Sequence, residues 1–187
     1  MRIKWFSLIR ITGLLLVLLY HFFQTIFPGG FFGVDVFFTF SGFLITSLLL
    51  EEFGKARQID LLGFFKRRFY RIVPPVVLMV LVTMPFTLLV RQDYVAGIGG
   101  QIAGVFGFMT NFYEMLTGGS YESQFIPHLF VHNWSLAVEV HYYILWGLAV
   151  WFLSKRSKSS SQLRGMVFLL SAGAFIISFF SMFIGSL

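Results

Sequence analysis

Arg10 and His21 stand eleven positions apart in RITGLLLVLLYH, a run that opens on a cation, closes on an imidazole and is apolar for most of its length. On a helix of 3.6 residues per turn, that spacing turns both side chains to within ~20° of one stripe and sets them ~16 Å apart along the axis. A snorkelling arginine and a histidine satisfied by a neighbouring helix are one explanation. An ionisable group deep in hydrocarbon costs on the order of 2–3 kcal/mol, which favours a working residue, and an imidazole suits general-base catalysis. The run predicts Arg10 near the inner interface and His21 near mid-bilayer.

Three other stretches carry chemistry. In GVDVFFTFSGFLIT, residues 33–46, Asp35 shares a face within ~60° with Thr39, Gly42 and Thr46. The turn Pro28-Gly29-Gly30 makes the first two helices antiparallel neighbours. Asp35 is then expected beside His21, where a carboxylate fixes the imidazole tautomer; a charge pair that only satisfies itself is the alternative. In HNWSLAVEVHYYILW, residues 132–146, the side chains of His132, Ser135, Glu139, Tyr143 and Trp146 form one stripe within roughly 60°. Glu139 is the costly member and is expected to face the bundle interior or a wet cavity. Trp134, Tyr142 and Tyr143 taken alone read as interfacial aromatics, and His128 and His141 as structural or solvated groups. His128 and His132 lie four apart, but no third ligand has a metal-site spacing, so no metal is expected. In FFKRRFYRIVPP, Arg67 and Arg71 share a helical face with Arg68 adjacent; guanidinium forks suit phosphate, with lipid-headgroup anchoring as the alternative.

The elements that must position these groups are membrane helices. The 187 residues are 57% hydrophobic and 12% charged, with 26 phenylalanines, and the mean hydropathy is +0.82. Apolar runs at 8–27, 32–50, 74–90, 95–116, 134–153 and 166–187 approach the roughly 18–20 residues that cross a bilayer. An all-α polytopic bundle of about six transmembrane helices is expected. MRIK ahead of the first run resembles a signal peptide, but the run exceeds the usual roughly 7–15 residue core and contains Arg10, so a retained helix is expected.

The net charge of +6 does not point to nucleic acid, because the cations cluster beside apolar runs: Arg2 and Lys4, Lys55 to Arg71, Lys155 to Arg164. Segment 51–73 alternates basic and aromatic residues and reads as an interfacial helix on the cytoplasmic surface, with Pro74-Pro75 opening the third span. Charge and parity then disagree. A single crossing by 95–116 would put Lys155 to Arg164 outside; the glycines at 97, 99, 100, 104 and 107 suggest instead a broken or re-entrant segment. With no cysteine, thiolate and disulfide chemistry is excluded. SKRSKSSSQ, residues 154–162, reads as a polar linker, and the chain stops at Leu187 inside apolar sequence, as part of something longer would.

The spacing of Arg10 and His21, the block GVDVFFTFSGFLIT, the basic FKRRFYRIVPP and NWSLAVEVHYY, in that order, resemble the integral-membrane acyltransferase-3 family, most of all the N-terminal half of its Gram-positive peptidoglycan O-acetyltransferases. The resemblance implies a bacterial plasma-membrane enzyme that passes an acetyl group from cytoplasmic acetyl-CoA, a donor substrate and not a resident cofactor, to a cell-wall glycan hydroxyl outside. It matches Arg10 and His21 to the family's Arg/His pair. It also implies a complete domain of about ten helices, each of membrane-crossing length, often with a fused or separate extracytoplasmic SGNH-type transferase domain. Residues 1–187 would be the N-terminal part of that domain, without an SGNH domain. The candidate catalytic set is Arg10, His21, Asp35 and Glu139; the candidate substrate-binding set is Arg67, Arg68, Arg71, Trp134 and Ser135. Expected partners are acetyl-CoA, the glycan, the lipid bilayer, and an SGNH domain or the missing half. Two other classes fit the buried charges: a transporter or flippase half, and a non-catalytic truncated remnant.

Overall fold

The computed structural model describes residues 4–23, 25–87, 89, 97–117 and 128–185, and the side chains at positions 4–7 and 10 lie outside the description. The described elements are helical: α1 (Lys4–Phe22), α2 (Phe32–Ala56), α3 (Leu61–Phe86), α4 (Ile98–Phe106), α5 (Thr110–Thr117), α6 (Trp134–Arg156) and α7 (Ser160–Gly185). Short 3-10 turns at Pro28–Phe31 and Val131–Asn133 lead into α2 and α6. Four helices are long and apolar enough to cross a membrane: Pro28–Ala56, Leu61–Phe86, Val131–Arg156 and Ser160–Gly185. The chain is a multi-pass membrane protein of the plasma membrane.

The expected count of about six spans is corrected to four among the described residues. The first candidate, 8–27, forms α1, helical from Lys4 to Phe22, of which Ile11–Phe22 is the described apolar stretch. The fourth, 95–116, is split into α4 and α5 by a reversal at Gly107 and Phe108, where Met109 N–H reaches back to the Gly104 carbonyl at 2.8 Å. This 6→1 bond satisfies carbonyls at the helix end and turns the chain around. Phe108 comes to the level of Ile72 and Val140. Glu114, further along α5, bonds His128, just ahead of the turn that leads into α6. The pair therefore enters the bundle and returns to the end where it began.

That return removes the conflict between charge and parity. Ser41 contacts Glu139, and Thr46 contacts Trp146, so α2 and α6 run parallel. Phe64 packs on Gly147 while Arg68 meets Tyr143, so α3 runs antiparallel to both. Lys55, Arg57, Lys66, Lys155, Arg156 and Lys158 consequently gather at one end, around a core of Phe53, Ile59, Phe64, Val150, Leu163 and Val167. By the positive-inside tendency this end is cytoplasmic.

Residues 51–73 are not a separate interfacial helix. Their first part finishes α2, which is capped by Arg57 in left-handed backbone at φ 57°. The rest is the first half of α3, with Pro74 and Pro75 inside that helix. Asp60 caps α3 by accepting from Gly63 N–H at 2.9 Å, and Glu52 accepts from Asp60 N–H at 2.8 Å, which fixes the turn between the two helices.

At the opposite end, α1 lies antiparallel on α2 through glycine. A methyl group at Gly33 would stand 2.5 Å from the Gly13 carbonyl oxygen, and one at Gly30 would stand 2.4 Å from that of Leu16. Only hydrogen allows this approach, the small-residue contact by which helices associate in lipid.

Candidate functional site

His21 ends α1 beside the start of α2, at the end of the bundle away from the cations. The depth expected from the sequence, mid-bilayer, is therefore corrected to the outer edge. Its Nδ1–H donates to the Val17 carbonyl at 2.7 Å, the only sense that bond allows, and in a neutral ring this leaves Nε2 as the basic nitrogen. His132, on the turn before α6, stands with its ring centre 5.0 Å away and tilted by 69°. The two rings, Val34, Trp134 and Ser135 line one pocket of about 320 Å3. The Trp134 ring is steadied edge-on by Phe38, and Ser135 Oγ–H donates to the His132 carbonyl at 3.4 Å. The structure thus brings together His21, Trp134 and Ser135.

Asp35 is not in that pocket. It lines a separate groove with Ile9, Val36, Thr39 and Phe43, and no hydrogen bond or ion pair joins it to His21 among the described residues. The expected pairing of Asp35 with His21 is corrected: a backbone carbonyl one turn back orients the imidazole. Arg10 lies on α1, and its side chain falls outside the described ones.

Glu139 faces the interior, between α2 and α6. Ser41 Oγ–H donates to its Oε1 at 2.6 Å, Tyr143 O–H donates to the same oxygen, and the two hydroxyls are 2.6 Å apart. Arg68 leans over the Tyr143 ring, its guanidinium carbon 5.6 Å from the ring centre and within electrostatic reach of Glu139. Its Nε is buried and has no hydrogen-bond partner among the described residues. A carboxylate bonded to two hydroxyls beside a guanidinium is an arrangement that can withdraw a proton from a nucleophile and stabilise an oxyanion.

This cluster divides two cavities. Ser41, Glu139, Tyr142 and Trp146 border a groove of about 740 Å3 against α7, where Trp146 Nε1–H donates to Thr46 at 2.8 Å. Arg68 and Tyr143 border a cavity of about 540 Å3 between α3 and α6, walled by Phe65, Phe69, Ile72 and Ile144 and flanked by Lys66 at its cationic end. The three arginines therefore separate. Arg67 and Arg71 are exposed, Arg67 at 3.3 Å from Glu52, whereas Arg68 is half-buried in the cavity wall.

Sequence reasoning placed His132 and Tyr143 on the stripe with Glu139 but gave neither a role, and it did not single out Ser41. Only the packing of α2 on α6 reveals Ser41 as a partner of Glu139. His128 and His132 go to different partners, His128 bonding Glu114 at 2.8 Å. Among the described residues, no group of three or more histidine, aspartate or glutamate side chains is placed to hold a metal.

Comparison with known proteins gives a family and similar relatives. The family model described as "Acyltransferase domain" matches residues 3–187. The O-acetyltransferase OatA of Staphylococcus aureus strain NCTC 8325 is 33% identical over 174 residues, covering 92% of this chain and 29% of its own length. The O-acetyltransferase OatA of strain COL aligns with the same identity and coverage, 33% and 92%, again over 29% of its length. The chain thus spans less than a third of those relatives. No solved structure matches it.

Proposed function

The chain belongs to the acyltransferase family, and from that premise we propose that it takes an acetyl group from cytoplasmic acetyl-CoA and moves it toward an extracytoplasmic carbohydrate hydroxyl, with peptidoglycan muramic acid as the acceptor. The observation that carries this reading is the segregation of charge along the bundle. Cations gather at one end, two imidazoles line a pocket at the other, and the Ser41–Glu139–Tyr143–Arg68 cluster sits between.

Arg67 and Arg71, exposed at the cationic end, would bind the CoA phosphates, which guanidinium forks recognise at two points. The pantetheine arm would enter the apolar cavity between α3 and α6 at Lys66. Arg68 would then act from the cavity wall and not in phosphate binding, its buried Nε–H offered to the reacting carbonyl. One of the Ser41 and Tyr143 hydroxyls would attack the thioester carbonyl and carry the acyl group onward, its proton passing to Glu139 as the C–S bond breaks and the CoA thiolate leaves. At the far end, His21 Nε2 would take the proton of the acceptor hydroxyl as its oxygen attacks the acyl ester and the carrier hydroxyl leaves with a proton, with Trp134 and Ser135 holding the sugar. Arg10 is kept as a catalytic candidate and Asp35 as an auxiliary one. The extra length of the relatives supports a partner for this chain, either an SGNH-type domain or further helices of the same domain.

The test has two arms. Purified chain in nanodiscs should bind acetyl-CoA in calorimetry, about thirtyfold more weakly after Arg67→Ala with Arg71→Ala, since each lost phosphate contact is worth on the order of 1 kcal/mol. Acetyl transfer to muropeptide in membranes containing the protein should fall by on the order of 10²–10⁴ with His21→Gln while insertion stays normal. Absence of donor binding, or full turnover without the imidazole, would defeat the reading.

A further inference from the structure

Phe108 stands on the turn between α4 and α5 with φ 53°, a left-handed backbone that bulky residues avoid. Glycine would relieve the strain and is present one position earlier, at Gly107, yet the residue in the strained position is phenylalanine. The turn is held by Phe108 N–H on the Val105 carbonyl at 3.2 Å and Met109 N–H on that of Gly104 at 2.8 Å. A side chain kept against such a preference is the pattern of functional positions.

The consequence is a ring on the wall of the cavity between α3 and α6. Among the described residues Phe108 is the sole contribution of the α4–α5 pair to that wall, and it lines the cavity together with Ile72, Val73 and Val140. Lys66 marks the cationic mouth, and the seven residues from Lys66 to Val73 rise ~10 Å along α3. Behind the ring lies the packed cluster of Val76, Val80, Val105 and Phe130, on which Phe108 also rests. The ring is thus the boundary between the cavity and the solid core.

We propose that Phe108 closes the deep end of the donor cavity and so limits the acyl group that the chain accepts to a short one. This rests on the reading of that cavity as the acyl-CoA site. The wall on that side, Ile72, Val73 and Val140, is apolar, so hydrocarbon is what would extend into the space if the ring were removed.

The test is the ranking of acetyl-, butyryl- and hexanoyl-CoA in calorimetric binding to the chain in nanodiscs. The wild-type chain should bind hexanoyl-CoA roughly tenfold more weakly than acetyl-CoA. Phe108→Ala should reverse the order, with each added methylene tightening binding roughly fourfold. Phe108→Gly empties the same wall but relieves the backbone, so it should give the same reversed ranking as alanine. Phe108→Leu, which retains bulk, should keep the wild-type order. Binding of acetyl-CoA with an unchanged ranking in both the alanine and glycine variants overturns this inference alone. Absence of any acyl-CoA binding by the wild-type chain overturns it together with the cavity reading.

Discussion

Ser41 donates a 2.6 Å hydrogen bond to Glu139, joining α2 to α6 across 98 positions of sequence. Tyr143 donates to the same carboxylate oxygen, and the Arg68 guanidinium lies over its ring. A carboxylate in this position satisfies polar groups on two helices at once, so its loss affects both assembly and chemistry.

Two substitutions read assembly and chemistry in turn. Ser41→Ala should cost about 0.6–1.7 kcal/mol, the range for interhelical hydrogen bonds in bilayers, and should leave the helices assembled. Glu139→Gln keeps the shape and loses the base, so acetyl transfer should fall by on the order of 10²–10⁴. Thermal unfolding in nanodiscs and a transfer assay measure the two; a glutamine variant with native turnover would make Glu139 structural only.

His21→Gln and His132→Gln should differ. His21 keeps its Nδ1–H on the Val17 carbonyl, which marks Nε2 as the base, and its loss should lower transfer by on the order of 10²–10⁴. His132 shares the pocket, so its replacement should weaken acceptor binding, seen as a raised KM with a smaller change in kcat. Steady-state kinetics with varied muropeptide separates the pair. Equal losses in kcat for both would place His132 in the chemistry as well.

Gly33→Leu should detach α1. Its first side-chain carbon alone would lie 2.5 Å from the Gly13 carbonyl oxygen. Overpacking of a close contact costs typically about 1–3 kcal/mol, and here it carries His21 away from His132. Loss of transfer with α2, α3 and α6 still folded, read by circular dichroism and proteolysis, is the expected result.

Topology can be read directly, because the chain has no cysteine of its own. Cysteines at Arg57 and Lys158 should react with an impermeant maleimide from the same side of the membrane, and one at Phe31 should react from the other. Labelling of positions 57 and 158 from opposite sides would mean that α4 and α5 cross after all.

Sequence by itself determined that this is a helical membrane protein and located α2, α6 and α7 closely, because apolar length is a local property that hydrocarbon reads residue by residue. It also marked His21, Glu139, Trp134, Ser135 and the arginines as costly or unusual groups, since the penalty for a polar side chain depends on depth more than on neighbours. What it left open was which of them meet. The α1–α2 contact through Gly13 and Gly33 sets the rotation of both helices, and that rotation turns Asp35 into a groove away from His21. Helical periodicity fixes angles within one helix and says nothing of the angle between two. That residues 95–116 break was legible in their glycines, but the turn at Phe108 was not, because a left-handed phenylalanine runs against local preference and persists only where the surrounding core holds it. Ser41 became the partner of Glu139 for the same reason: the register of α2 on α6 is a tertiary decision, made by packing and not by either helix alone.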